Sequence, residues 1–462
     1  MALEKFIFRP GINREGTDYS NDGGWFDANL VRFRKGLPEK IGGWAKATLS
    51  TYQSTVRALH AWVDLSLTRY LGLGATWKYY IKEGDNFYDI TPLRSTTAAG
   101  DVTFAATNGS STITITDTNH GAVTDDFVTF SGAASLGGTV TATVLNQEYQ
   151  ILLVTGTNTY TITAKDTSGA TVTANGSDSG NGGSSVVGAY QINVGLDTYV
   201  ESSGWGAGTW GAGTWGSTTA LTSANQLRLW SHDNFGEDLI MNVRAGGIYY
   251  FDTSAATLGT TRAIPLTSLP GANLTPTLAL QVLVSDIDRH VVCLGADPIS
   301  GSSRSGALDP MLVAWSDQEN AAVWEPLATN TAGSFRLSAG SQIIGAIRAR
   351  QETLIWTDTA LYSMTFIGQP FTFGINLVNE GVGLISPNGA VNTPKGIFWM
   401  DKKGFYTYSG AVQDIPCTVQ NYVFSDFNQG QAFQVFGFVN KEFDEVGWFY
   451  CSADSEVINR YV

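Results

Sequence analysis

The chain has 462 residues, 12% of them aromatic, with 52 glycines and a formal net charge of −14. This length allows two or more domains, and the acidic balance argues against tight, salt-dependent binding of nucleic acid. Because no run of 18 apolar residues occurs, no membrane span is expected, and the start "MALEKFIFRPG" does not read as a secretory signal. The three distant cysteines (Cys293, Cys417 and Cys451) predict neither a disulfide framework nor a metal knuckle, which fits synthesis in a reducing cytoplasm.

The N-terminal part, residues 1–97, contains a locally basic cluster at Arg32, Arg34, Lys35 and Lys40. Clustered cations favour contact with an acidic partner protein or with DNA. An equally weighted interpretation is a solvated edge strand that helps to close the fold. Both interpretations place this cluster at an interface or an edge.

Residues 98–198 differ in composition from the rest of the chain. Between Ala98 and Asp197 the only basic residue is Lys165, against eight acids. Stretches such as "STITITD" (111–117) and "TYTITAKD" (159–166) alternate strictly, which is typical of half-buried antiparallel strands. The sequence therefore predicts a small antiparallel β-barrel or sandwich domain inserted into a larger fold.

A glycine-rich stretch, "GWGAGTWGAGTWG" (204–216), spaces Trp205, Trp210 and Trp215 five residues apart. Five fits neither the helical nor the strand period, so an irregular loop is expected. Tryptophan in such a loop indicates a contact surface. Packing against a partner protein is favoured over stacking on a sugar.

Sequence stretches typical of β-hairpins recur outside the insertion. "EDLIMNVRAGGIYYFD" (237–252) reads as two strands around a Gly-Gly turn. Similar sequence stretches begin at residues 74, 352, 396 and 446. Units of 40–50 residues that each supply one small sheet are typical of propellers. The fold class predicted for 1–97 and 199–462 is thus an all-β propeller of about six blades, with Trp356 and Trp399 buried; a sandwich of hairpins is the alternative.

No catalytic or cofactor motif emerges from the sequence. The P-loop, HExxH and G-x-S-x-G patterns are absent, and the four histidines are scattered singly. "AWSDQENAAVWEP" (314–326) resembles the Asp-box turn of sialidases, which is structural, and the sequence assembles no arginine cluster for a substrate carboxylate. The expectation is a protein that is not an enzyme, with no catalytic residue, cofactor or metal.

Several phrases nevertheless resemble a known group of proteins. They are "RPGINREGTDYSNDGGWFDANLVRFRKGLPEKIGGW" (9–44), "YDITP" (88–92), "YQINVG" (190–195), "WSHDNFGEDLIMNVRAGGIYYFD" (230–252) and "WSDQENAAVW" (315–324). These stretches are similar to sequences found in the packaged-DNA stabilisation proteins, also called tail hub or nozzle proteins, of short-tailed bacteriophages. The insertion, through "NHGAVTDDFVTFSGA" (119–133), resembles a small β-domain common in phage structural proteins.

This resemblance implies a structural virion protein of the phage tail, assembled in the host cytoplasm. Copies would form a ring, expected as a hexamer, below the portal and adaptor proteins and above tail fibre or needle proteins. Packaged DNA would pass through the lumen without sequence-specific binding, as an acidic wall permits. The alternatives are a receptor-binding or adsorption protein and a propeller glycosidase that acts on host surface polysaccharide.

Overall fold

The computed structural model describes residues 8–176, 180–199, 222–224, 226–254, 257–285 and 287–462. The chain divides into two compact units. One unit comprises 52–197 and 222–270, and the other comprises 1–51, 198–221 and 271–462. Over the described residues the fold is all-β, with six propeller blades, two in the first of these units and four in the second. The fold class predicted from the hairpin repeats is therefore confirmed.

The N-terminal segment contributes one short hairpin. Its strands are β1 (Val31–Arg34) and β2 (Leu37–Lys40). Lys35 and Gly36 both have left-handed φ angles, 51° and 82°, which closes the two-residue turn between the strands.

The first blade has four antiparallel strands in chain order. They are β3 (Val56–Val63), β4 (Arg69–Ala75), β5 (Tyr79–Glu83) and β6 (Asn86–Asp89). The second blade has the same order and ends near a short 3₁₀ helix, Leu266–Ser268. Its strands are β14 (Trp230–Phe235), β15 (Asp238–Val243), β16 (Ile248–Phe251) and β17 (Ile264–Pro265). Gly74 faces the Trp230 ring so closely that any Cβ there would collide with it, which packs the two blades tightly.

Between these blades in the chain lie seven strands and one short helix. They are β7 (Leu93–Thr96), β8 (Thr103–Ala106), β9 (Thr112–Thr116), β10 (Phe127–Ser131), helix α1 (Ala142–Leu145), β11 (Glu148–Gly156), β12 (Thr159–Thr163) and β13 (Val187–Gln191). The strands form one antiparallel sheet in the order β7-β13-β10-β11-β12-β9-β8. The predicted alternation is present: Ile113, Ile115, Tyr160 and Ile162 enter one core while the intervening threonines face outward. That 98–198 is a domain able to fold alone stays a prediction.

The other unit holds four blades. The first of them consists of β18 (Gln281–Val284), β19 (Val291–Leu294), β22 (Leu312–Trp315) and β23 (Gly333–Arg336). The next two consist of β24 (Ile343–Arg348), β25 (Thr353–Thr357), β26 (Ala360–Gly368) and β27 (Thr372–Glu380), and of β28 (Ala390–Thr393), β29 (Gly396–Met400), β30 (Phe405–Tyr408) and β31 (Val412–Asp414). The last consists of β32 (Phe436–Asn440), β33 (Glu445–Tyr450) and β34 (Arg460–Tyr461). A small hairpin, β20 (Ile299–Ser300) and β21 (Ser303–Arg304), helix α2 (Gln420–Ser425) and a 3₁₀ segment, Gln429–Gln434, complete this unit.

The recurring hairpins are confirmed as blade strands. The stretch 237–252 forms β15 and β16, and the copies that begin at 352 and 396 form β25–β26 and β29–β30. Trp356 and Trp399 are fully buried in neighbouring blades, with ring centroids 5.3 Å apart in an edge-to-face arrangement. The predicted burial of both tryptophans is therefore confirmed.

Candidate functional site

A cavity of about 230 Å³ lies within the unit formed by 52–197 and 222–270. Three parts of the chain build its wall: the start of β7, the loop that follows β13, and the β15–β16 hairpin with the residues before β14. The lining residues are Arg94, Ile192, Asn193, Val194, Ser223, Ala224, Arg228, Val243, Gly247 and Tyr249. Both charged side chains in this wall are arginines, and the rest of the wall is neutral.

Arg228 is fixed in the wall by its backbone and its guanidinium. It is only 4% exposed. Its backbone N–H donates to the carbonyl of Leu196 (3.0 Å), and Nη2 donates to the carbonyl of Asn193 (2.7 Å). The side chain crosses Gly195, where any Cβ atom would collide with it, so glycine is required for this close approach.

Burial also affects the pKa of the Arg228 guanidinium. Removal from water lowers the pKa of Arg228 to about 10, while Tyr249 and Asp126 act in the opposite direction. Its Nε atom is buried and has no hydrogen-bond partner among the described residues. The guanidinium is therefore a buried cation with incomplete compensation.

Arg94 is the second cation of the cavity. It lies on β7, with its guanidinium carbon 4.9 Å from the centroid of the Tyr190 ring on β13. Within the described part of the chain, its Nε and Nη2 atoms are buried and have no hydrogen-bond acceptor. An aromatic face stabilises a cation but accepts no conventional N–H hydrogen bond, so this guanidinium retains unused donors.

The buried acid Asp126 interacts electrostatically with both arginines, and a second buried acid, Asp117, contacts Tyr190; neither lines the cavity. Asp126 accepts the backbone N–H groups of Val123 and Val194, both at 2.8 Å. Burial raises the pKa of Asp126, although the two N–H donors and the charges of Arg94 and Arg228 oppose that shift. Asp117 accepts the hydroxyl of Tyr190 at 2.6 Å. Each carboxylate is thus already bound to protein donors.

This arrangement can bind an anion by charge and N–H donation. Arg94 and Arg228 are 134 positions apart in sequence, and the fold places both in the wall of this cavity. The one sequence signal is indirect: Gly195, in the "YQINVG" phrase, provides the space for Arg228.

A second polar cluster joins the first blade to the seven-stranded sheet. Lys78 is almost fully buried, donates to Asp89 at 2.9 Å and also contacts Glu148. Arg262 lies 2.5 Å from Asp89 and 3.4 Å from Glu148. Burial alone would raise the pKa of Asp89, but Lys78 and Arg262 outweigh burial and lower it. Because each charge has an opposite neighbour, this cluster is structural.

Two of the four histidines, which are scattered singly in the sequence, lie together in the structure. The rings of His60 and His232 lie 5.4 Å apart, and the Tyr79 hydroxyl is 2.6 Å from Nδ1 of His232. In the other unit, Nδ1 of His290 lies 2.6 Å from Asp288, and Nε2 lies 2.9 Å from the Thr331 hydroxyl. The fold brings His60 and His232 together on adjacent blade strands, β3 and β14, a pairing that sequence distance hides.

The Asp-box-like stretch is a turn, as expected. Asp317 accepts the backbone N–H and the hydroxyl of Thr331 (2.9 and 2.8 Å), and the buried Trp324 donates to the Ala321 carbonyl. Among the residues that the structure describes, no group of three or more His, Cys, Asp or Glu side chains is placed to hold a metal ion. In the same residues, no helix combines the length and apolar character needed to cross a membrane.

The predicted interface residues have different surroundings. Trp205, Trp210 and Trp215 lie outside the described residues. Arg32 is mostly buried, 3.2 Å from Glu445 and above the Phe443 ring. Arg34 and Lys35 are exposed. The cluster thus remains a predicted interface at Arg34 and Lys35, while Arg32 is engaged within the chain.

Comparison with known proteins gives no family. No protein-family model and no curated protein matches the chain. Solved structures similar to it include the phage phi92 endosialidase (12% identity, TM-score 0.21, 85% of this chain and 52% of that one). Kluyveromyces lactis Hsv2 is another (9% identity, TM-score 0.26, 50% and 61%). A third is PorZ of the Porphyromonas gingivalis type-IX secretion system (11% identity, TM-score 0.28, 87% and 74%).

The TM-scores of these similarities are 0.28 or lower. The chain spans about half of the endosialidase and 61% of Hsv2. All three identities are 12% or lower, so none of these proteins assigns an activity to this chain.

Proposed function

We propose that this chain is a structural subunit of a phage tail, not an enzyme, and that copies of it assemble into a ring around the DNA path. The resemblance of the 9–44, 190–195 and 230–252 phrases to tail hub and nozzle proteins supports the tail assignment. The observation that carries the self-assembly is the exposed apolar surface of the N-terminal segment, 8–51.

This N-terminal segment exposes an unusual amount of apolar surface. Trp44 is 90% and Leu49 95% exposed. Five further large apolar side chains of the segment are also exposed, namely Phe8, Tyr19, Phe26, Leu30 and Leu37. Single exposed apolar residues are normal, but a concentration of seven in one short segment is typical of a protein–protein contact.

The segment is anchored at one end to its own unit. The backbone N–H of Arg14 donates to the carbonyl of Thr418 (2.9 Å), and its guanidinium carbon lies 3.9 Å from the centroid of the Tyr422 ring on α2. Arg32 anchors the β1–β2 hairpin to Glu445. Residues 41–51, which contain Trp44 and Leu49, have no regular secondary structure beyond these anchors. This geometry suits an arm that packs on a neighbouring subunit.

Charge supports a second copy of the chain as that neighbour. Residues 1–51 contain eight basic and six acidic side chains, a net charge of +2. The remaining residues contain 19 and 35, a net charge of −16. A basic arm on an acidic body is electrostatically complementary, and one such contact repeated around an axis closes a ring. The acidic remainder also suits a lumen through which phosphates slide without binding.

The test is the mass of the purified protein in solution with and without the apolar arm. The double variant Trp44→Ser, Leu49→Ser removes two side chains whose burial contributes about 1.5–3 kcal/mol each. We expect light scattering to show that the unmodified chain forms a discrete oligomer. The dissociation constant of the variant oligomer should be at least about a hundredfold higher than that of the unmodified oligomer.

A matched control is Leu65→Ser, Leu67→Ser, which changes two equally exposed leucines in the β3–β4 turn. This control should retain the oligomer. A monomeric unmodified chain would contradict self-assembly, and equal loss of the oligomer in both variants would contradict the role of the arm.

A further inference from the structure

We infer that the arginine-lined cavity is a binding site for a small carboxylate-bearing molecule. The inference does not depend on the tail assignment or on the N-terminal arm, because all of the lining residues belong to the unit formed by 52–197 and 222–270.

The first argument is the placement of two guanidiniums in one small cavity. Arg94 and Arg228 both line it, although like charges repel and burial disfavours a cation that lacks a counter-charge. Three of their nitrogen atoms are buried without an acceptor in the described part of the chain: Nε and Nη2 of Arg94 and Nε of Arg228. Such a pair is costly in the free protein and is stabilised by an anion.

The charge of the ligand is limited by the acid next to both arginines. Asp126 interacts electrostatically with Arg94 and Arg228 and already accepts two backbone N–H groups. A dianion in the cavity would place more negative charge beside Asp126 than a monoanion would. A monoanion fits better, and a planar carboxylate matches the two-pronged donor pattern of a guanidinium.

The third argument is the remaining wall. A cavity of about 230 Å³ has room for a carboxylate with one ring or a short chain attached. Tyr249, Val243 and Ile192 provide apolar and aromatic surface for that ring, and Asn193 and Ser223 provide polar groups. Tyr249 fits there because Gly247 leaves space for its hydroxyl. A carboxylated monosaccharide such as glucuronate is the appropriate probe.

The experiment is calorimetric titration of the full chain with glucuronate, with glucose as the neutral match and acetate as the bare carboxylate. We expect glucuronate to bind at least about tenfold more tightly than glucose, because the charged group makes the strong hydrogen bonds. Phosphate, at a pH where it is a dianion, should bind more weakly than glucuronate. Tight phosphate binding with weak glucuronate binding would overturn the assignment to a monoanion.

Variants distinguish binding in this cavity from non-specific binding of anions to arginine side chains elsewhere on the protein. Arg94→Gln should weaken glucuronate binding about tenfold or more, and Arg94→Lys, which retains the charge but loses the planar fork, should give an intermediate loss. Arg289→Gln changes an exposed arginine in the other unit and should leave binding unchanged. No binding of glucuronate or acetate by the folded protein at millimolar concentration, or equal binding by Arg94→Gln, would overturn the inference.

Discussion

The tryptophan pair between two blades allows a comparison that depends on one hydrogen bond. Trp356 and Trp399 are both fully buried and contact each other edge to face. Nε1 of Trp399 donates to the Gly383 carbonyl at 3.1 Å, whereas Nε1 of Trp356 has no acceptor among the described residues. Replacement by phenylalanine therefore removes a satisfied N–H group at 399 and an unsatisfied one at 356.

The expected costs follow from this difference. Trp399→Phe loses ring volume and leaves the Gly383 carbonyl without its donor, which costs about 1–3 kcal/mol beyond the volume term. Trp356→Phe loses the same volume but relieves a buried unpaired N–H group, so it should be the milder change by about that amount. Either residue replaced by alanine should cost about 3–5 kcal/mol, and the two alanine changes should not be additive because the rings are in contact.

Urea unfolding followed by circular dichroism measures these free energies, with unchanged m-values as the check that the denatured state is not altered. Each phenylalanine variant is the matched control for the other. Equal costs for the two phenylalanine variants, or a larger cost for Trp356→Phe, would refute the reasoning from the hydrogen bond. A cost below about 1 kcal/mol for Trp399→Ala would refute the burial itself.

Three further predictions concern other parts of the fold. Lys78→Met should destabilise the protein by about 3–5 kcal/mol in the same urea assay, because it leaves Asp89 and Glu148 facing each other with less positive charge; a neutral effect would contradict the buried network. Burial and the neighbouring histidine lower the pKa of His232 to about 3, so only the unfolded chain takes up this proton between about pH 6.5 and 3. The free energy of unfolding should therefore decrease by about 1.4 kcal/mol for each unit by which the pH is lowered through that window. The decrease should be smaller in His232→Gln, and identical pH profiles of the two proteins would contradict the assignment. Deletion of 100–196 with a short Gly/Ser bridge should leave a soluble, folded remainder by circular dichroism, and complete loss of soluble protein would count against an independent insertion.

The blades were predictable from sequence where the strands are joined by tight turns. In 237–252 and 396–410 two apolar or aromatic strands flank a short turn, so period and turn chemistry coincide. The alternating threonines of β9 and β12 were equally informative. In each case the local pattern is sufficient, because strand and partner are neighbours in sequence.

The blade of β18, β19, β22 and β23 was not predicted from this pattern. Its four-residue strands "QVLV" and "VVCL" are almost entirely buried, so they show no alternation. Residues 295–311, which carry the small β20–β21 hairpin, separate β19 from its partner β22. Uniform burial and a long connection remove both signals on which a hairpin prediction depends.

The arginine cavity was not predictable at all from local pattern. Arg94 belongs to a strand of the seven-stranded sheet, and Arg228 precedes the second blade. Their proximity depends on β7 pairing with β13 and on the loop after β13 meeting the residues before β14. Long-range pairing of this kind leaves no periodic trace in one sequence.

The proposed role of this chain is that of a tail subunit repeated around the DNA path. Imaging of the assembled phage particle, with the chain marked by a bound antibody fragment, tests this role. We expect density for this chain as a continuous collar around the tail axis, with six copies. Label found only on peripheral fibres, or absent from the particle, would contradict it.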